Sequence, residues 1–110
     1  MNLVETNLHG LYIIEPKVFE DSRGYFYESF NEHTLRNKGI DTRFVQDNQS
    51  KSSYGVIRGL HYQLAPYAQT KLVRALEGSI YDVVVDVREG SPTFGKTFGV
   101  ELSRTSTTTS

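Results

Sequence analysis

Apolar residues in this chain come in short runs broken by turn-forming ones, a pattern that predicts strands rather than long helices. Leu11, Tyr12, Ile13 and Ile14, closed by Pro16, form the first run, and Tyr25 to Phe30 form the second after Asp21, Ser22, Arg23 and Gly24. Further strands are predicted at Phe44 to Gln46, Val56 to Gln63, Leu72 to Leu76, Ile80 to Val87 and Phe98 to Leu102. One short, peripheral helix is predicted over Asn31 to Lys38, with Asn31 as N-cap, Leu35 as its apolar contact and Gly39 just past the end. About seven strands and one helix make the chain mainly β.

Between Ile80 and Val87, Tyr81, Val83, Val85 and Val87 share one face, while Ile80, Asp82, Val84 and Asp86 share the other. Periodicity alone reads this first as core against solvent, with Asp82 and Asp86 exposed. The other reading makes the mixed face a wall lining a polar cavity. After Leu102 the pattern gives way to Ser103, Arg104, Thr105, Ser106, Thr107, Thr108, Thr109 and Ser110, which have nothing apolar to bury. The expected organisation is therefore one domain over 1–102 and a polar, disordered tail over 103–110.

Bulk properties narrow the partners. A chain of 110 residues has room for one domain, and 12 Lys and Arg against 13 Asp and Glu give no broad field to attract nucleic acid or an anionic membrane. An anionic ligand would have to be met by a local group of bases. The absence of cysteine removes disulfides, thiolate metal sites and cysteine nucleophiles together. With neither a signal-like N-terminus nor a long apolar stretch, the cytoplasm is the expected compartment.

Candidate chemistry concentrates in Arg58-Gly59-Leu60-His61-Tyr62-Gln63 and the Lys71-Leu72-Val73-Arg74 that follows. Histidine titrates near neutrality and can take a proton from a carbon beside a carbonyl; a lysine ammonium can stabilise the enolate that results. His61 and Lys71 suit that division of labour, although a lone strand histidine is more often an ordinary hydrogen-bonded one. Strict strand alternation would put Arg58 and His61 on opposite faces, so a shared pocket requires a break at Gly59. The spacing from Gly55 through His61 and Gln63 to Lys71 and Gly78 is cupin-like, with an amide and an ammonium where a metal-binding cupin would place imidazole and carboxylate. His9 and His33 stand in other contexts, so no metal is expected. Arg23, with Tyr25, Phe26 and Tyr27, combines a cation with aromatic faces that can hold a phosphate and a stacked base, or simply turns the chain into an aromatic strand. Gln46, Asp47, Asn48, Gln49 and Ser50 can orient hydroxyls or a nucleobase, or form a plain polar loop.

Taken together, Glu15-Pro16-Lys17-Val18-Phe19, Asp21-Ser22-Arg23-Gly24-Tyr25-Phe26, Phe44-Val45-Gln46-Asp47-Asn48, the Arg58 and Lys71 segments, Asp82 to Arg88 and Ser91-Pro92-Thr93-Phe94-Gly95 resemble the dTDP-4-dehydrorhamnose 3,5-epimerase family. Order and spacing agree over nearly all of residues 1–102. The resemblance implies a cupin-like jelly-roll barrel that dimerises and a cofactor-free enzyme of dTDP-L-rhamnose biosynthesis. Such an enzyme inverts C3 and C5 of dTDP-4-dehydro-6-deoxy-D-glucose. It further implies that His61 is the base, that Lys71 stabilises charge on the C4 oxygen, and that Arg58, Gln46 and Asn48 contact substrate. Arg23, Phe26 and Glu28 match a nucleotide-binding segment that reaches into the partner subunit's site, and Asp82 matches a cavity residue able to hold Lys71 in its charged form.

Family members continue past the point where this sequence ends, adding barrel strands, an acidic tyrosine and an aspartate partner for the histidine. Without them, open sheet edges and exposed apolar faces are expected. Two other readings stay open: an inactive sugar-nucleotide-binding module, and a related 3- or 5-epimerase or ketoisomerase.

Overall fold

In the computed structural model, which describes residues 1–61, 70–103 and 107–109, the first apolar run pairs with the N-terminal residues. Strands β1 (Asn2–Glu5) and β2 (Tyr12–Glu15) run antiparallel with Leu3 opposite Ile14 and Glu5 opposite Tyr12. Thr6 stabilises their connection, its Oγ1 donating to the Leu11 carbonyl at 2.9 Å and accepting the Leu8 N–H at 3.2 Å. A second hairpin follows in β3 (Val18–Asp21) and β4 (Gly24–Tyr27), a two-stranded sheet of its own.

The helix forms where its caps predict. In α1 (Glu32–Asn37) the Asn31 side chain accepts the Thr34 N–H at 3.0 Å, and Gly39 takes a left-handed φ of 95° after the C-cap Lys38. Leu35 is 2% exposed and packs with Ile14 and Ile40 in a cluster that also gathers Met1, Leu3, Tyr12, Phe44 and Leu72. The helix lies at the surface, with Glu32, His33, Arg36 and Asn37 exposed, and Leu35 anchors it over the face of the sheet that Leu3, Tyr12 and Ile14 present.

That sheet has the order β1-β2-β8-β5, with β5 at Leu72–Arg74 and β8 at Thr107–Thr109. The tail expected to be disordered thus supplies a strand, Thr109 lying opposite both Tyr12 and Leu72. Threonine is β-branched and favours extended backbone, and β2 and β5 each offer it a free row of main-chain partners, which outweighs its lack of apolar surface. Two expected strands do not form among the described residues. Phe44 to Gln46 and the described part of Val56 to Gln63 are not paired in any sheet, and residues 62 and 63 lie outside the described residues.

The longest pair is β6 (Ser79–Val85) with β7 (Thr97–Ser103), where Ile80 faces Leu102, Asp82 faces Val100 and Val84 faces Phe98. Asp82 and Val84 are half-buried and Asp86 is buried, while Tyr81, Val83 and Val85 are exposed. The reading of Asp82 and Asp86 as exposed is overturned: their face points inward, and the valine face points out. Burial of Asp86 is made tolerable by full hydrogen bonding. Its carboxylate accepts Ser91 Oγ and Thr93 Oγ1, each at 2.6 Å, and the Arg88 guanidinium at 3.0 Å. Arg88 Nη2 also donates to the His9 carbonyl at 2.5 Å, and Thr93 Oγ1 accepts the His9 N–H at 3.0 Å. The clamp ties the β6–β7 connection to the β1–β2 turn.

Candidate functional site

The β3–β4 hairpin owes its shape to the two residues between its strands. The Asp21 carboxylate accepts the Arg23 N–H at 2.8 Å and pairs with the Arg23 guanidinium at 2.7 Å, which holds its carboxyl below the usual carboxylate range. This register sets Phe19 opposite Phe26 on one face and leaves Tyr25 and Tyr27 stacked on the other, ring centroids 5.8 Å apart. Phe19 and Phe26 are 55% and 71% exposed, an unusual state for a cross-strand aromatic pair. An open concavity of about 480 Å³ is lined by Phe19, Asp21, Arg23, Tyr25 and Phe26 among others. A neighbouring one of about 290 Å³ is lined by Met1, Lys17, Phe19, Phe26 and Glu28. Arg23, Phe26 and Glu28 are thus brought to one hairpin, together with two residues the sequence reading did not single out. Lys17 stands 5.2 Å from the Phe19 ring centroid, and Phe19 itself lines both concavities. Counting back from a two-residue turn would have paired Phe19 with Phe26.

Gln46 and Asn48 also meet, the Gln46 amide donating to Asn48 Oδ1 at 3.3 Å. Arg58 donates to the Lys51 carbonyl at 3.1 Å, and His61 and Lys71 are both exposed, one on either side of residues 62–69, with Lys71 just before β5. Because 56–61 lies outside every strand, strand parity does not apply to Arg58 and His61, and there is no ladder there for Gly59 to break. Asp82 sits on the inner face of β6, where burial pushes its carboxyl up. Among the described residues, no hydrogen bond or ion pair joins His61, Lys71 and Asp82 to one another: His61 lies outside the strands, Lys71 just before β5 and Asp82 in the middle of β6.

Chemically, the hairpin offers a guanidinium and aromatic faces to an anionic, ring-bearing ligand. The 46–61 stretch offers amides, a guanidinium and an imidazole, and Lys71 an ammonium. No helix among the described residues is long and apolar enough to cross a membrane.

The fold recurs in solved proteins. The structure superposes on a dTDP-4-dehydrorhamnose 3,5-epimerase from Elizabethkingia anophelis with a TM-score of 0.89 at 56% identity, covering 99% of this chain and 61% of that one. It superposes on a dTDP-6-deoxy-D-glucose-3,5-epimerase from Legionella pneumophila, solved in complex with dTDP-4-keto-L-rhamnose, with a TM-score of 0.91 at 50% identity, covering 98% and 58%. Over the part it covers, the chain is a cupin-like jelly-roll protein, mainly β with one short helix. The sequence profile of dTDP-4-dehydrorhamnose 3,5-epimerase matches residues 5–109, and the Shigella flexneri enzyme of that name is 57% identical over 104 residues. The chain belongs to the dTDP-4-dehydrorhamnose 3,5-epimerase family. It spans 94% of its own length in that match and 58% of the Shigella relative's.

Proposed function

We propose that this chain carries the base and the nucleotide-binding arm of a sugar-nucleotide 3,5-epimerase acting on dTDP-4-dehydro-6-deoxy-D-glucose, in dTDP-L-rhamnose biosynthesis in the cytoplasm. The reading is carried by the superposition, at a TM-score of 0.91, on a relative holding a dTDP-4-keto sugar, together with the family profile's match over 5–109.

In this reading the C4 ketone acidifies the hydrogens on C3 and C5. His61 takes one as a proton, the electron pair left on carbon moves into the C4 carbonyl, and Lys71 stabilises the oxygen as an enolate. Return of a proton to the opposite face completes inversion and restores the ketone. Arg58, Gln46 and Asn48 orient the sugar nucleotide. Asp82, half-buried on the inner face, serves as the counter-charge that keeps Lys71 protonated. No cofactor or metal enters the scheme.

The same reading gives a homodimer in which Arg23, Phe26 and Glu28 of one protomer reach its partner's site. A two-stranded hairpin whose paired Phe19 and Phe26 are both more than half exposed supports this. Titration with dTDP, followed by calorimetry, tests it: binding that weakens at least about tenfold in Arg23→Ala supports the arm. Equal affinity in the variant removes Arg23 from the site.

A further inference from the structure

The hairpin face that bears Phe19 and Phe26 ends in two opposite charges. Val18 opposite Tyr27 is the outermost pair of β3 and β4, so Lys17 and Glu28 stand one step beyond it, each two residues from a phenylalanine of that face. Both side chains are exposed, and both line the concavity of about 290 Å³ with Phe19 and Phe26. The Lys17 ammonium leans over the Phe19 ring, 5.2 Å from its centroid, and among the described residues neither Lys17 nor Glu28 enters an ion pair. An ammonium offers only donors and a carboxylate only acceptors, so the two present donor and acceptor side by side next to an aromatic floor.

Two parts of a nucleoside diphosphate can meet that pair, and charge decides between them. A phosphate at Lys17 would lie against the Glu28 carboxylate, which repels it. A neutral base carries no such cost. Thymine is a pyrimidine-2,4-dione whose ring N–H lies between two carbonyl acceptors, so one edge offers both groups the pair requires. At the other end of the hairpin, Arg23 gives its Nε and one Nη2 donor to Asp21 and keeps the rest of its fork for an anion. Four residues of strand separate Lys17 from Asp21, roughly 13 Å at the usual rise, which is comparable with the span from a base edge to a terminal phosphate. We propose that Lys17 is a further nucleotide contact: its ammonium donates to a ring carbonyl of the base while Glu28 accepts the neighbouring N–H, with Phe19 and Phe26 beneath the ring. The inference rests on the nucleotide-binding arm proposed above and adds to it a residue that reads the base.

Calorimetric titration with dTDP tests it on the parent, on Lys17→Met, which keeps an apolar stem over Phe19, and on Lys17→Arg, which restores donors. Lys17→Met should raise the Kd at least about fivefold at low and at high salt alike, and Lys17→Arg should return it to within about threefold of the parent. Thio analogues identify the atom: of 2-thio-dTDP and 4-thio-dTDP, the one altered at the contacted carbonyl should bind the parent more weakly than dTDP does, and bind Lys17→Met no more weakly than dTDP does. An unchanged Kd in Lys17→Met, a loss confined to low salt, or analogues whose affinities change by the same factor in parent and variant would overturn the proposal. Arg23→Ala, titrated alongside, separates it from the reading beneath it: weakening there without weakening in Lys17→Met removes Lys17 alone, whereas a parent that does not bind dTDP removes the arm as well.

Discussion

Leu102 is fully buried on β7, opposite Ile80, and is the place where the inner face of the β6–β7 sheet is most committed to its packing. Replacing it with alanine removes three carbons, at about 0.8 kcal/mol each, so the transfer loss alone is about 2.4 kcal/mol. A rigid cavity would carry the total toward about 5 kcal/mol. Its register partner Ile80 is 45% exposed and therefore free to lean into the space, which keeps the expected total near 3 kcal/mol. For a chain of this size, with a urea m-value of about 1–1.5 kcal/mol/M, the midpoint falls by roughly 2–3 M while m stays constant. Ile80→Ala, starting half in water, should cost about half as much. A Leu102→Ala midpoint shift under about 0.5 M, or equal costs for the two variants, would refute the assignment of this face as the interior.

The Asp86 clamp predicts a pH dependence. Arg88, then Ser91 and Thr93, hold its carboxyl well below the usual range, so the group contributes stability above its unfolded pKa of 3.8 and loses it as pH falls. Thr93→Val should be less stable than the parent at pH 7, and the gap measured by urea titration should narrow as pH is taken well below 3.8; a pH-independent gap would count against the clamp. Asp82 has the opposite sign: burial raises its pKa above 3.8, so its contribution is present below that value and is lost as pH rises through the raised pKa. Asp82→Asn should therefore be at least as stable as the parent at pH 7 and lose any advantage below 3.8, while its proton-exchange activity falls; a variant less stable at pH 7 than below 3.8, relative to the parent, would contradict the sign.

What could be read from the sequence depended on how local its cause was. Asn31, Leu35 and Gly39 gave the helix because capping acts within a turn, but nothing local could say that Leu35 would meet Ile14 and Ile40 at the centre of the core. Alternation put Asp82 and Asp86 on one face, yet choosing the inner face took the partners on Ser91, Thr93 and Arg88, up to seven residues away. Phe44 to Gln46 and the described part of Val56 to Gln63 carry strand-like residues, but a ladder requires a partner, and none of the described residues pairs with them. Threonines 107–109 show the converse, a polar sequence made into a strand by two waiting edges. Gly99 gave no warning that a side chain there would strike the Tyr81 ring, since that contact crosses between strands. Of the site, Arg23, Phe26 and Glu28 are near one another in sequence and stay together at one hairpin, whereas His61 lies outside the strands, Lys71 just before β5 and Asp82 within β6, a placement no local pattern announces.

The central claim is that His61 removes the sugar protons, and isotope exchange reads that step without requiring complete epimerisation. NMR of dTDP-4-dehydro-6-deoxy-D-glucose in heavy water should be recorded with the chain and with His61→Ala. The account predicts loss of the C3 or C5 proton signal with the parent and its retention with His61→Ala. Exchange that persists in the variant, or none from the folded parent, would contradict it.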